Sequence, residues 1–253
     1  MDFLAVGILG SLWGSFANVC IYRLPLKGGV VKGRSFCPKC KKKIFWYENI
    51  PILSYLILGG KCSKCKKKIS TQYLLVEAIS IFSFLIIYYL FGISLTTILL
   101  IILFLSFLII FFIDLKYYII PDILTFPMMV LGFVKSFDPN LNPIFPNYTN
   151  SLLGGIIGYG IIWLIIMFYK KIRNREGMGL GDAKLLAVIG FWFGWISIPF
   201  VIFLSSTIAL IVVVPDLLKR QKKLTSQIPF GPYIIIATTI FIVFKDMFLN
   251  LLI

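Results

Sequence analysis

Between residues 95 and 113 the chain carries no charged side chain, and apolar stretches of similar length recur from one end to the other. Such stretches leave few options. Lipid offers no partner to backbone N–H and C=O groups, so a segment of roughly 17–25 apolar residues must close its hydrogen bonds internally as a helix. Spans are expected near 3–23, 72–92, 95–114, 121–137, 151–169 and 229–250, with shorter ones near 183–198 and 199–215. The 33 residues of 183–215 give about 50 Å of helix, whereas two crossings need about 60 Å, so thin helices and a re-entrant hairpin both stay open. The expected fold is an all-α polytopic membrane protein of about eight transmembrane helices. Composition agrees: 59% of residues are hydrophobic and mean hydropathy is +0.96, against about 45–50% apolar in soluble domains. Met1-Asp2-Phe3 has neither a basic n-region nor a small-residue cleavage site, so the first segment is expected to be a retained span. No convincing internal repeat is apparent.

Of the 25 Lys and Arg residues, 23 fall in segments 23–71, 114–121, 170–184 and 216–228; only Lys135 and Lys245 lie elsewhere. This asymmetry places those four segments in the cytoplasm and both termini outside. It also accounts for the net charge of +15 as membrane orientation, with no nucleic-acid partner expected. The chain has no His, which excludes a Ser-His-Asp triad, a Cys-His pair and any His-ligated metal. Asn147-Tyr148-Thr149 matches a glycosylation sequon in the external segment 138–150, but a tripeptide match carries little weight.

The cytoplasmic segment 23–71 contains Cys37-Pro38-Lys39-Cys40 and, after 21 residues, Cys62-Ser63-Lys64-Cys65. Two C-x-x-C pairs at about this separation have zinc-ribbon spacing. Four thiolates would close a tetrahedral Zn2+ site with no position left for substrate, so the role is structural. Lys39, Lys41, Lys42, Lys43, Lys64, Lys66, Lys67 and Lys68 are expected to lower the thiol pKa values and offset the site's charge. Disulfides or redox thiols are the alternative, disfavoured by a reducing cytosol. Cys20, inside the first span, reads as a packing residue.

Acidic residues number ten, few enough to weigh singly. Asp114 ends the apolar run Leu99–Ile113. A carboxylate is disfavoured at a helix C-terminus and costly at a span end, which points to function; the bland alternative pairs it with Lys116. Asp182 follows Gly177, Gly179 and Gly181. An N-cap with glycines for the turn would explain it, while three glycines equally allow the close chain approach of a substrate cleft. Asp122 after Pro121 is ordinary helix-start chemistry, hence supporting. Glu77, one turn into the second span, is expected to pair with a lysine of the loop. Glu48, Glu176, Asp2, Asp138, Asp216 and Asp246 read as solvated. The basic residues alone put Asp114 and Asp182 at the same membrane face, and paired aspartates sharing a proton can activate water. Gly154 and Gly158 form a helix-packing G-x-x-x-G pair, and Phe191-Trp192-Phe193-Gly194-Trp195 suits an interfacial belt.

Together these motifs resemble the bacterial prepilin peptidases (type IV leader peptidases), membrane aspartyl proteases with a G-x-G-D signature. The likeness runs through Gly14-Ser15-Phe16-Ala17-Asn18-Val19-Cys20-Ile21-Tyr22-Arg23-Leu24-Pro25, the two cysteine pairs with Asn49-Ile50-Pro51-Ile52-Leu53-Ser54-Tyr55 between them, and Ile69-Ser70-Thr71-Gln72-Tyr73-Leu74-Leu75-Val76-Glu77. Leu74 stands where a proline is common. Ile113-Asp114 and Gly179-Leu180-Gly181-Asp182 complete the set. The resemblance implies catalytic roles for Asp114 and Asp182, with Asp122, Gly179, Gly181, Lys184 and Glu77 in support. It implies removal of a short basic leader from type IV prepilin or pseudopilin precursors, in the bacterial inner (cytoplasmic) membrane with the active site facing the cytoplasm. It further implies N-methylation of the new terminus with S-adenosylmethionine, associated with the large cytoplasmic loop; no nucleotide-type glycine motif accompanies it. The chain would then divide into a first transmembrane helix (1–23), a four-cysteine loop where the methyltransferase part would lie (24–71) and a peptidase core (72–253). Basic loops would repel a basic leader, so either Glu48 and Glu176 receive it or membrane anchoring of the substrate outweighs the repulsion. A proton-relaying transporter would instead need acids near the bilayer midplane, and a zinc-ribbon scaffold would need no catalytic carboxylates.

Overall fold

A chain that must bond its own backbone in lipid should be helical, and the computed structural model is. It describes residues 3–26, 36–37, 39–141, 145–173, 179–218 and 227–252, among which there is no strand, only two isolated bridges in the cysteine loop. The helices are α1 Phe3–Arg23, the five-residue α2 Leu53–Ile57, α3 Gln72–Phe91, α4 Leu95–Tyr117, α5 Asp122–Val134, α6 Tyr148–Arg173, α7 Leu180–Phe193, α8 Ser197–Leu218 and α9 Gly231–Leu252. Every expected span is a helix, and among the described residues five are long and apolar enough to cross a membrane: Phe3–Leu26, Gln72–Phe91, Leu95–Tyr117, Tyr148–Ile172 and Ser197–Pro215. α5 and α7 have 13 and 14 residues, about 20 Å of helix against a core of about 30 Å. α9 runs 22 residues. The chain forms two compact units, Met1–Ile109 and Ile110–Ile253.

In the first unit α1 packs on α3 through glycine. A Cβ on Gly14 would stand 2.8 Å from Glu77 Cα, so only a bare backbone allows the approach. Val6, Phe84 and Leu105 are buried together there. Between α1 and α3 the loop shows a short internal repeat, where none was expected. Cys37–Ile44 and Cys62–Ile69 differ only at Pro38 and Ser63, and they fold alike. In each, the amide four residues after the first cysteine donates to its carbonyl (Lys41 to Cys37, 2.8 Å; Lys66 to Cys62, 3.0 Å), and the cysteine amide donates to the carbonyl five residues on (Lys42, 2.9 Å; Lys67, 3.0 Å). Lys41 and Lys66 both take left-handed backbone, at φ 58 and 55.

In the second unit α6 meets α7 where Gly154 faces Gly190, and a Cβ on either would run into the other's carbonyl. The expected aromatic belt is only partly interfacial. Trp195 is exposed, but Trp192 is fully buried, donating its Nε1–H to the Met128 carbonyl at 2.8 Å while its own carbonyl accepts from Lys135 Nζ at 3.1 Å. A buried indole needs that partner. Asn147 of the sequon accepts the Asn150 amide at 3.1 Å and caps α6.

Candidate functional site

The second unit gathers the end of α4, the start of α5, the first turn of α7 and the N-terminus of α9 around a cavity of about 220 Å³. Asp114 and Asp182 both line it and are buried, at 4% and 9% exposure. α4 continues past Asp114 to Tyr117 and ends at Tyr118, whose backbone is left-handed at φ 57 and whose amide donates to the Asp114 carbonyl at 3.0 Å. Non-glycine residues in that conformation gather where surrounding structure imposes strain, often at functional sites. Asp114 does not pair with Lys116, whose ammonium lies over the Tyr117 ring at 5.1 Å. Instead its Oδ2 accepts the amide of Gly231, the first residue of α9, at 3.0 Å.

Asp182 is not the N-cap considered from sequence. Gly179 occupies that position and α7 begins at Leu180, which makes Asp182 the third helical residue, where a helix N-terminus favours negative charge. Gly181 lets α7 abut the segment after α4, since a Cβ there would stand 3.0 Å from Ile120 Cβ. Gly179 is less constrained: its nearest neighbour would be an Asp182 oxygen at 3.8 Å, and its φ is −81. Gly177 and Glu176 lie outside the described residues. Asp114 and Asp182 line one cavity, and two carboxylates brought together can hold one proton between them. At the rim Lys184 Nζ donates to Asp122 Oδ1 at 2.6 Å. The structure therefore brings Asp114, Asp182, Asp122, Gly179, Gly181 and Lys184 to one cavity.

Glu77 belongs to the other unit and departs from expectation. It is buried, and it accepts the backbone amide of Ile52 at 2.8 Å rather than a lysine ammonium. Ile52 needs that anchor, because its φ is 61. Close by, Asn18 Nδ2 donates to the Tyr73 carbonyl at 3.1 Å, a polar tie between α1 and α3.

The four loop cysteines are free thiols whose sulfurs lie within 4.8 Å of one another, with Cys37–Cys65 and Cys40–Cys62 each at 3.9 Å. Disulfides need about 2.05 Å. Four sulfurs about 2.3 Å from one ion would be roughly 3.8 Å apart, so the cluster fits a tetrahedral metal ion. Cys62 is held below the usual thiol range, at about 6, by the amides of Cys65 and Lys64. Amides of the turn, rather than the flanking ammonium groups expected from sequence, supply this effect. Glu48 is not free to receive a leader. Lys42 holds it at 2.7 Å and keeps its carboxyl near 2, while the Phe45 amide donates to its other oxygen at 3.1 Å. Lys42 also donates to Ser63 at 2.6 Å, tying the two knuckles together.

Residues 8–91 match the bacterial peptidase A24 N-terminal domain, and residues 99–214 match the type IV leader peptidase family. The chain belongs to the type IV leader peptidase family. A prepilin leader peptidase/N-methyltransferase of Pseudomonas aeruginosa is 35% identical over 94% of this chain and 89% of its own length. Proteins of the same description from Neisseria gonorrhoeae and Pectobacterium carotovorum subsp. carotovorum are each 33% identical, over 94% and 92% of this chain and 89% and 90% of their own. No solved structure matches. With five span-length helices and bacterial relatives, this member of the family is a multi-pass bacterial membrane protein.

Two groups at the cavity were not singled out from sequence. Gly231 sits in Phe230-Gly231-Pro232, where Gly and Pro together mark a helix start, but nothing local ties that start to Asp114. Tyr118 carries no local mark of its left-handed backbone.

Proposed function

We propose that this protein removes the basic leader of type IV prepilin-like and pseudopilin precursors and N-methylates the terminus it exposes; its relatives are named prepilin leader peptidase/N-methyltransferases. What carries the peptidase assignment is the placing of two buried aspartates, from helices distant in sequence, in one cavity. One carboxylate, ionised, takes a proton from water; the other, protonated, donates a hydrogen bond to the scissile carbonyl. Burial excludes bulk water and strengthens both interactions. The N-terminal end of α9 at Asp114 and the first turn of α7 at Asp182 both favour negative charge. Gly231 lets backbone approach Asp114, Gly181 lets α7 close on Ile120, and Asp122 and Lys184 form the rim. In this proposal the cavity opens to the cytoplasmic face of the inner membrane, as the lysine and arginine asymmetry requires. Residues 1–23 anchor the loop 24–71, and 72–253 form the peptidase core.

Cys37, Cys40, Cys62 and Cys65 would hold Zn2+, which supplies folding energy to the loop rather than catalysis. The methyl donor S-adenosylmethionine is a sulfonium cation. Glu48, the one carboxylate of 24–71, is committed to Lys42, so that segment alone does not provide the donor's anionic partner.

Purified Asp114→Asn and Asp182→Asn proteins should each lose cleavage of a pilin-like precursor while melting as the parent does. Cleavage at the parental rate by either one would remove the assignment.

A further inference from the structure

Among the described residues lining the aspartate cavity, Lys184 carries the ammonium, yet the structure gives it to neither buried aspartate. It stands two positions beyond Asp182 on α7. Its Nζ lies 2.6 Å from Asp122 Oδ1 on α5, and 5.3 Å from the centroid of Phe126, one helical turn further along the same helix. The side chains of Lys184 and Asp122 are 21% and 56% exposed, so the pair contributes little to stability. Its value lies elsewhere.

Among the described residues, the charged or titratable groups around the cavity are Asp114 and Tyr118 from the end of α4, Asp122 from α5, and Asp182 and Lys184 from α7, with the Gly231 amide from α9 bonded to Asp114. General acid–base work by Asp114 and Asp182 requires that the pair keep one proton. A cation released among them would favour ionisation of both carboxylates. The cavity is about 220 Å³ in all, and a lysine side chain on its wall is long and flexible enough to turn inward.

We propose that Asp122 is a positioning residue that ties Lys184 to the rim and keeps its ammonium off the Asp114–Asp182 pair. The inference rests on the peptidase assignment above. It gives the ion pair a purpose that helix-start chemistry does not, because a helix-start acid needs no lysine from another helix.

The test is a mutational cycle on the full-length purified protein, read by precursor cleavage across pH. Asp122→Ala in the parent background should lower kcat at neutral pH by about tenfold or more, with little change in KM, a factor of ten being what one pH unit carries. The high-pH limb of activity should move down by about one to three pH units, the size of shift that a neighbouring cation imposes on a carboxylate. In a Lys184→Met background the same Asp122→Ala change should cost less than about twofold and leave the limb in place, because no ammonium remains to be released. Asp122→Glu should restore most of the rate, and melting temperatures should stay level throughout. If Asp122→Ala costs as much without Lys184 as with it, Asp122 acts on its own account and the tether is overturned. An unmoved pH limb in the single variant overturns it as well. Failure of the underlying assignment would look different: the parent would cleave no precursor, or Asp114→Asn would cleave as well as the parent.

Discussion

Gly231→Ala separates the geometry of the aspartate site from the stability of the helices that build it. A Cβ at that position would stand 2.8 Å from Asp114 Oδ2 and 3.2 Å from Ile120 Cδ1. Carbon contacts relax at roughly 3.5 Å, so the carboxylate or the start of α9 must move by more than half an ångström. The bond at risk is the Gly231 amide to Asp114 Oδ2, 3.0 Å long and buried. Hydrogen bonds to charged groups are worth about 1.5–3 kcal/mol, which spans roughly tenfold to a hundredfold in rate if the loss falls on the transition state. Misplacing a catalytic group by about 1 Å costs a similar factor. Expected, therefore, is a fall in kcat of about ten- to a hundredfold for a purified pilin-like precursor in detergent. Stability should not follow, because alanine is the better helix former by about 0.5–1 kcal/mol. Gly160→Ala is the control: it is also a helical glycine, but a Cβ there meets nothing within 4 Å, and cleavage should be unchanged. Parental kcat in Gly231→Ala would refute the claim that this amide positions Asp114.

Glu77→Leu leaves the half-buried Ile52 amide without its acceptor and should destabilise the first unit by about 1 kcal/mol or more. Glu77→Gln keeps an acceptor oxygen and should lose much less; equal melting temperatures for the two variants would show that the bond does not hold the loop. Purified protein should carry about one zinc per chain by metal analysis, and Cys62→Ser should abolish it and expose the loop to proteases. Four alkylatable thiols in protein without bound metal would overturn the zinc assignment.

Helix positions were legible because each rests on a local property, the length of an uncharged run between clusters of lysine. The exact lengths of the helices were not. α5 and α7 are short because Pro121 and the glycines before Asp182 set their starts while Lys135 and Gly194 lie at their ends. Both aspartates could be singled out because carboxylates are rare in such sequence. Their meeting could not be read, since nothing local says that the start of α9 bonds to the end of α4. Glu77 shows the same limit. A buried acid in a lysine-rich neighbourhood invites an ion pair, yet the strained backbone at Ile52 claims it first. The knuckle repeat is a contrary case: it is written openly in the sequence, and was overlooked because eight residues are too few for the usual repeat architectures.

The source of positive potential at the cavity follows from these details. A buried aspartate is commonly stabilised by a lysine or arginine, but an ion pair of that kind would hold both members of a proton-sharing pair ionised. Here the potential comes from backbone: the Gly231 amide on Asp114, and the first turn of α7 carrying Asp182. Amides and helix termini carry partial charges, enough to favour one negative charge without demanding two. This also explains Gly231, where a Cβ would stand 2.8 Å from the Asp114 carboxylate that its amide holds. A full positive charge at the same place would favour two ionised carboxylates, and the lysine that lines the cavity among the described residues, Lys184, is bound to Asp122 instead.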